Sequence, residues 1–98
     1  MSEYKRRYKK RLWKNKREAI LKADSYLCKE CIRYGRSTEA IVVHHIYPSD
    51  LYPELFNVDA NLLSLCWKCH ELMHDRTTRE ITNLGRQWQR RRERRIFK

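Results

Sequence analysis

Four cysteines, arranged as two pairs, are the residues of this sequence most suited to chemistry. Cys28 pairs with Cys31 and Cys66 with Cys69, and the 98 residues contain no other cysteine. Two intervening residues allow both sulfurs of a pair to reach one tetrahedral ion, as in a zinc knuckle. The alternatives are two disulfides, which no visible export signal supports, or a redox site, which would need only one pair. We predict a structural zinc site that supplies on the order of 10 kcal/mol to folding.

The histidines form a second group of candidate ligands. His44 and His45 are adjacent, and an extended backbone points neighbouring side chains to opposite faces, so we expect them to have different roles. His70 and His74 are spaced to share one face of a helix. Scattered surface histidines, or a histidine that replaces a cysteine, are the alternatives. Because four cysteines already complete a tetrahedron, we predict a second metal centre built from the histidines.

The charge is concentrated at the two ends of the sequence. Residues 1–22 hold ten basic and two acidic side chains, and residues 76–98 hold nine and two, whereas residues 23–75 hold four and eight. Basic arms of this kind are typical of proteins that bind a polyanion, most simply nucleic acid, although basic helices can also be solvated faces. No apolar run approaches the roughly 20 residues of a membrane span. We expect no membrane partner and a cytoplasmic location.

The elements that must position these ligands follow from apolar periodicity and turn residues. A first helix is expected from about Leu12 to Ala23, before the first cysteine pair. Its apolar face would comprise Leu12, Ala19, Ile20 and Ala23, with Trp13 beside it. Short strands are expected at 41–43 and 62–65, separated by a loop at 48–59, and Gly35 suits the turn that closes the first knuckle.

Two further helices are expected after the second strand. One would carry Cys69, His70 and His74, and the last would be capped by Thr77 or Thr78. The apolar positions of the last helix would be Ile81, Leu84 and Trp88. The large aromatic residues expected in the core, rather than as base-stacking platforms, are Trp13, Phe56, Trp67 and Trp88.

From Cys28 to His74, about half of the chain, the sequence resembles the HNH endonucleases of the ββα-metal group. The matching segments are Cys28-x-x-Cys31, Val43-His44-His45-Ile46-Tyr47-Pro48, Asn61-Leu62-Leu63-Ser64-Leu65-Cys66-x-x-Cys69-His70, and His74. The resemblance implies a single α+β domain with a small ββα-metal (His-Me finger) core. That core, with the zinc knuckle, would span 24–76, between a basic N-terminal arm and helix at 1–23 and a basic C-terminal helix at 77–98.

The resemblance also implies a role for each residue of the motif. The catalytic residues would be His45, Asn61 and His70: His45 would be the general base, and Asn61 would brace the loop after the first strand and help orient that base. The ligands of the catalytic metal would be His44, His70 and, as in only some members of the family, His74. From the residues alone, Asp59-Ala60-Asn61 also suits an ordinary turn, and Asn57 is a competing candidate for Asn61.

The activity that the resemblance implies is metal-dependent hydrolysis of DNA, which leaves 3′-hydroxyl and 5′-phosphate ends. Many family members have Asp at the position of His44, and imidazole favours transition metals. We therefore expect Mn²⁺, Co²⁺ or Ni²⁺ to support activity at least as well as Mg²⁺, with Zn²⁺ as a further candidate. Candidate contacts to DNA phosphates are Lys5, Arg6, Arg7, Arg76, Arg90 and Arg91; Arg76 is also a candidate for transition-state charge stabilisation.

Partners and alternatives follow from the same comparison. The small size and basic flanks are similar to stand-alone bacteriophage HNH nucleases, which often work beside the terminase that packages genomes. We expect nicking or weakly specific cleavage, because no base-reading element is apparent, and a monomer in the host cytoplasm if the origin is viral. The alternatives are a non-catalytic zinc module that binds nucleic acid or assists packaging, and a nuclease directed at RNA.

Overall fold

The computed structural model describes residues 10–97, so Lys5, Arg6 and Arg7 lie outside the described residues. Within these residues the chain forms an α+β fold of four α-helices and one two-stranded sheet. In chain order the elements are α1 (Arg11–Ala23), α2 (Lys29–Arg33), β1 (Val42–His45), β2 (Leu62–Leu65), α3 (Trp67–Glu71) and α4 (Asn83–Ile96), with short 3-10 turns at Pro53–Leu55 and Asp59–Asn61. No helix within residues 10–97 is long and apolar enough to cross a membrane.

Strands β1 and β2 form an antiparallel hairpin whose register decides where the histidines point. Val43 pairs with Ser64, and His44 pairs with Leu63. Since side chains alternate along a strand, His44 lies on the same face of the hairpin as Leu63, and His45 lies on the opposite face. The expectation that the two adjacent histidines face opposite ways is therefore confirmed.

The hairpin lies between two hydrophobic clusters, one on each face. The first cluster contains the four cysteines together with Ile46, Leu63, Leu65, Met73 and Trp88. The second contains Trp13, Ile20, Leu21, Ala40, Val43, Phe56 and Leu62, and it packs α1 against the hairpin. His44 thus faces the side of the cysteines and α3, whereas His45 faces the side of α1.

Two predicted core residues are exposed. The side chain of Leu12 is 74% exposed and that of Trp67 is 57% exposed. In α1 it is Trp13 that is buried, with Ile20 and Leu21, so the apolar face is rotated by about one residue from the expected one. Burial of Trp13, Phe56 and Trp88 is confirmed.

Helix α4 begins at Asn83 and is capped by Thr82, so the predicted cap at Thr77 or Thr78 is wrong. The Thr82 hydroxyl oxygen accepts a hydrogen bond from the Gly85 amide at 3.1 Å. Residues 74 and 81 are joined by an isolated β-bridge, which keeps Ile81 outside the helix. A Cβ at Gly85 would lie 2.4 Å from Ile81 Cγ1, so glycine permits the close approach of α4 to this bridge.

A buried carboxylate ties α4 to the first cysteine pair. Glu30 is 5% exposed, and its Oε1 accepts hydrogen bonds from Trp88 Nε1 at 2.9 Å and from the Arg33 guanidinium at 2.9 Å. A buried charge is tolerated when it is paired and hydrogen-bonded in this way. The C-terminal helix is therefore fixed to α2 as well as to the core.

Candidate functional site

The four cysteines come together in one buried cluster. None is more than 9% exposed, none is in a disulfide, and their sulfurs all lie within 4.8 Å of one another. Cys31 Sγ is 4.0 Å from Cys66 Sγ and 3.8 Å from Cys69 Sγ. Sulfurs at about 2.3 Å from a shared tetrahedral ion lie about 3.8 Å apart. The spacing is too long for a disulfide and suits a metal ion held by four sulfurs.

Each cysteine pair occupies the start of a short helix. Cys28 caps α2, and its sulfur accepts a hydrogen bond from the Cys31 amide at 3.4 Å. Cys66 holds the equivalent position before α3. Gly35, with φ of 72°, closes the turn after α2, as the sequence predicted. The local backbone thus brings the two sulfurs of each pair to one side of a helix end.

The thiols differ in how readily they lose a proton. Burial raises the pKa of Cys28 and Cys69. The hydrogen bond from the Thr38 side chain lowers the pKa of Cys31 to about 7. Once one cysteine is a thiolate, deprotonation of its three buried neighbours would add further negative charge. A cation is needed to balance that charge, which agrees with a metal ion at this cluster.

Three histidines of the motif, His44, His70 and His74, lie close together. The ring centroid of His44 is 5.3 Å from that of His70 and 5.7 Å from that of His74. His44 is 4% exposed, and within residues 10–97 its Nε2 has no hydrogen-bond partner. A buried, unpartnered imidazole nitrogen beside two further imidazoles fits a divalent cation.

Burial and electrostatics favour the neutral form of His44 and His70, which is the form that binds a metal ion. Burial, reinforced by repulsion from the neighbouring histidines, lowers the pKa of His44 to about 3. Burial and the proximity of His74 also lower the pKa of His70. All three side chains line a cavity of about 560 Å³, which His45, Ser49, Asp50 and Arg79 also line.

His74 reaches this cavity by a different route from the predicted one. The sequence placed it on a helix with His70, but α3 ends at Glu71. The chain turns there to bury Met73 completely, and the carbonyl of Met73 accepts hydrogen bonds from Thr82. His74 then lies in the bridge to Ile81, still within reach of His44.

His45 is held from three sides. Its Nε2 lies 3.1 Å from the carbonyl oxygen of Phe56, and its ring stacks on Trp13 with centroids 5.0 Å apart. The Phe56 ring packs against it at 4.9 Å. Because a carbonyl can only accept, Nε2 carries the proton, and in the neutral ring the lone pair is on Nδ1. Burial lowers the pKa of His45, which favours that neutral form.

Asn61 is fully buried and joins the two ends of the segment between the strands. Its Oδ1 accepts from the Tyr47 amide at 2.7 Å, while its Nδ2 donates to the carbonyls of Tyr47 and Leu55, each at 3.1 Å. Asn57, the competing candidate, is exposed. The geometry is that of a brace, and it fixes the loop that also supplies the Phe56 carbonyl to His45.

The basic candidates are dispersed. Arg76 is exposed in the turn before α4, whereas the arginine that lines the histidine cavity is Arg79. Arg90 and Arg91 line a separate depression of about 310 Å³, together with Arg33. Sequence reasoning missed Arg33 and Arg79, since neither belongs to a motif. It also missed the stacking on His45, because Trp13 is distant in the chain.

Comparisons with known proteins identify the family and support the fold. The family model described as "HNH endonuclease" matches residues 28–76, half of the chain. The crystal structure of an HNH endonuclease from the deep-sea thermophilic bacteriophage GVE2, with a manganese ion, is similar at 35% sequence identity and a TM-score of 0.68. The similarity covers 69% of this chain and 74% of that one. None of the curated proteins compared with the sequence matches it. The chain belongs to the HNH endonuclease family.

Proposed function

We propose that this nuclease hydrolyses phosphodiester bonds in DNA, with His45 as general base. The observation that carries the proposal is the position of His45, fixed through Nε2 to the Phe56 carbonyl, in the same cavity as the unpartnered Nε2 of His44. The relative with a manganese ion supports metal dependence. The net charge of +11 supports a polyanionic substrate.

The base function of His45 follows from its contacts. With Nε2–H donating to Phe56, Nδ1 accepts a proton from the water that attacks phosphorus. The ring cannot tilt freely, because Trp13 and Phe56 pack against it. Asn61 holds the loop that carries the Phe56 carbonyl, and so it acts as a positioning residue for the base.

The catalytic metal site would use imidazole ligands. The residues that would hold the ion are His44, His70 and His74, which surround one side of the cavity. A divalent cation bound there supplies charge stabilisation at the phosphate and at the leaving 3′ oxygen. Three nitrogen donors favour Mn²⁺, Co²⁺, Ni²⁺ or Zn²⁺ over Mg²⁺.

The cysteine cluster would hold zinc and have no part in the reaction. Four thiolates are the donor set that closed structural zinc sites use, and the sulfur separations of 3.8 and 4.0 Å suit the length of zinc–sulfur bonds. The ion would join α2 to α3, with two sulfurs supplied by each cysteine pair. We propose that it replaces the extra apolar area that a chain of this size lacks.

Contacts to phosphates would give affinity without choice of sequence. Arg90 and Arg91 lie on the exposed side of α4, and Arg91 stacks on Trp88 with its guanidinium 5.0 Å from the ring centroid. We therefore propose nicking or weakly specific cleavage by a monomer. A cytoplasmic site of action, in the host cell if the origin is viral, and work beside a packaging terminase both stay predictions.

Cleavage of supercoiled plasmid tests the proposed function. Wild type and His45→Ala are compared with Mg²⁺, Mn²⁺, Co²⁺, Ni²⁺, Zn²⁺ or EDTA, and zinc content and circular dichroism are measured for both. We expect His45→Ala to stay folded and to cut about 10²- to 10⁴-fold more slowly, the usual loss when a general base is removed.

His45→Gln is the matched variant. Its amide can still donate to the Phe56 carbonyl but cannot take a proton from water, so we expect it to be as inactive as His45→Ala. Activity of either folded variant at the wild-type rate would remove His45 from the mechanism. A wild type that binds DNA with every metal and cuts it with none would overturn the proposed function.

A further inference from the structure

We propose that Arg79 is a further catalytic residue, whose guanidinium binds the non-bridging oxygens of the scissile phosphodiester in the histidine cavity. This inference rests on the proposed function, because it takes DNA phosphate as the occupant of that cavity. Arg79 lines the cavity together with His44, His45, His70 and His74.

The Arg79 side chain is available for an anion. Within residues 10–97 its guanidinium makes no hydrogen bond and no ion pair, although Asp50 lines the same cavity. By contrast, Arg33 and Arg92 are both engaged with protein oxygen atoms. The cavity therefore offers two positive groups to the oxygens of a phosphodiester. One is the Arg79 guanidinium, and the other is the cation that the imidazoles would bind.

A tight turn fixes Arg79 relative to the metal-ligand candidate His74. The Asp75 side-chain oxygen accepts from the amides of Thr77 and Thr78, each at 2.8 Å. The Asp75 carbonyl accepts from the Arg79 amide at 2.9 Å, and the bridge between residues 74 and 81 closes the base of the turn. The turn therefore presents Arg79 at a set distance from the histidines.

The backbone of Arg79 is in a conformation that favours glycine. Its φ is 66°, in the left-handed region, which a residue with a side chain seldom adopts. Such residues persist where the surrounding structure holds them and are concentrated at functional sites. A glycine would adopt this φ without strain, so an arginine at this position has a cost to the fold.

Phosphodiester hydrolysis suits a guanidinium that donates two parallel hydrogen bonds. The bond from water oxygen to phosphorus forms as the bond from phosphorus to the 3′ oxygen breaks. The water proton passes to His45 Nδ1, and solvent protonates the released 3′ oxygen. The two non-bridging oxygens gain negative charge at the transition state, where parallel N–H donors of Arg79 stabilise them more than in the ground state.

The test compares Arg79→Gly and Arg79→Lys with wild type in the plasmid assay with Mn²⁺, and measures thermal stability alongside. We expect Arg79→Gly to lower kcat about 10²- to 10³-fold, the usual loss of one preorganised donor. Its Tm should be unchanged or higher, because glycine adopts this φ without strain. Arg79→Lys should fall between the two, since lysine keeps the charge without the fork of donors.

Arg86→Ala is the charge-matched control, because Arg86 is exposed on α4 and does not line the cavity. If Arg79→Gly lowers kcat no more than Arg86→Ala does, while His45→Ala is inactive, the role of Arg79 is overturned. The proposed function is unaffected by that result. A parallel fall of Tm and kcat in Arg79→Gly would assign Arg79 to the fold. A wild type that does not cut DNA would overturn both proposals.

Discussion

The cysteine cluster and the histidine cavity are neighbours, and Cys69 and His70 are consecutive residues of α3. The four sulfurs all lie within 4.8 Å of one another in the core, so one ion would leave no position for a further ligand. The imidazole centroids of His44 and His70 are 5.3 Å apart, and a cavity of about 560 Å³ opens beside them. In structural metal sites the protein ligands typically fill every coordination position, whereas catalytic metal sites keep one position open for water or substrate. One turn of helix would therefore contribute ligands to both proposed sites.

The two sites also differ in what happens when they are empty. Burial lowers the pKa of His44 to about 3 and also lowers the pKa of His70, so the neutral form of both imidazoles is favoured when no ion is bound. The ion that the four cysteines would bind joins the ends of two helices. Loss of an ion from the histidine cavity should abolish activity, whereas loss of an ion from the cysteine cluster should unfold the chain.

Adjacent truncations should give the largest contrast. Cys69→Ala removes one of four metal ligands, and we expect the chain to lose much of the roughly 10 kcal/mol that a structural zinc ion supplies and to unfold. His70→Ala should remain folded and fail to cut plasmid. Circular dichroism, zinc content and cleavage separate the outcomes. A folded, zinc-loaded Cys69→Ala protein would break the comparison.

Graded chelation should separate the two sites within one sample. As chelator is added, we expect cleavage to stop while the circular dichroism spectrum is unchanged, because four thiolates hold an ion more tightly than three imidazoles and release it later. Stronger chelation should then unfold the chain, and Mn²⁺ alone should not restore cleavage. Simultaneous loss of fold and cleavage at every chelator concentration would contradict this order.

Replacement of Asn61 should disturb the position of His45 in the histidine cavity and leave the cysteine cluster unchanged. Asn61→Ala leaves the partly buried Tyr47 amide without its acceptor, and we expect the free energy of unfolding to fall by about 1–3 kcal/mol. Cleavage should fall further than stability, since the Phe56 carbonyl then no longer fixes His45. The exposed Asn57 gives the matched control, and Asn57→Ala should change neither urea unfolding nor plasmid cleavage. Equal effects of Asn61→Ala and Asn57→Ala on unfolding and cleavage would contradict the proposal that Asn61 positions the loop.

The choice of metal should give the smallest effect. Imidazole ligands suit Mn²⁺, Co²⁺ and Ni²⁺ better than Mg²⁺, so we expect each of the three to support nicking at least as well as Mg²⁺. Initial rates with each metal on a zinc-loaded protein measure this directly. Strict dependence on Mg²⁺ would mean that oxygen donors, rather than imidazoles, dominate the site.

Local signals predicted the centre of the molecule well. The cysteine spacing located the cluster, and the apolar runs located β2 at 62–65 and the first half of β1. The opposite facing of His44 and His45 followed from strand geometry alone. These features depend on neighbours in the chain, which a sequence shows directly. The positions of the histidines predicted a second metal centre, whereas the roles of Asn61 and of each histidine came from resemblance to a family.

The features that sequence reasoning missed depend on distant contacts. Thr77 and Thr78 are good caps by type, but Asp75 uses their amides to form a turn, and α4 starts only at Asn83. Periodicity gave α1 an apolar face that was wrong by one residue, because both Leu12 and Trp13 suit a core. The contact of Trp13 with the proposed base joins residues far apart in the chain, and no local pattern encodes it.

The length of α3 has a consequence for how the protein matures. Five residues are far fewer than the roughly 12–15 at which an isolated helix becomes even marginally stable. The helix must therefore be stabilised by its packing and by the ion that Cys66 and Cys69 would bind with the other two cysteines. We expect His70 to be presented to the cavity only once that ion is bound. A newly made chain would then become a nuclease only after it has acquired its first metal ion.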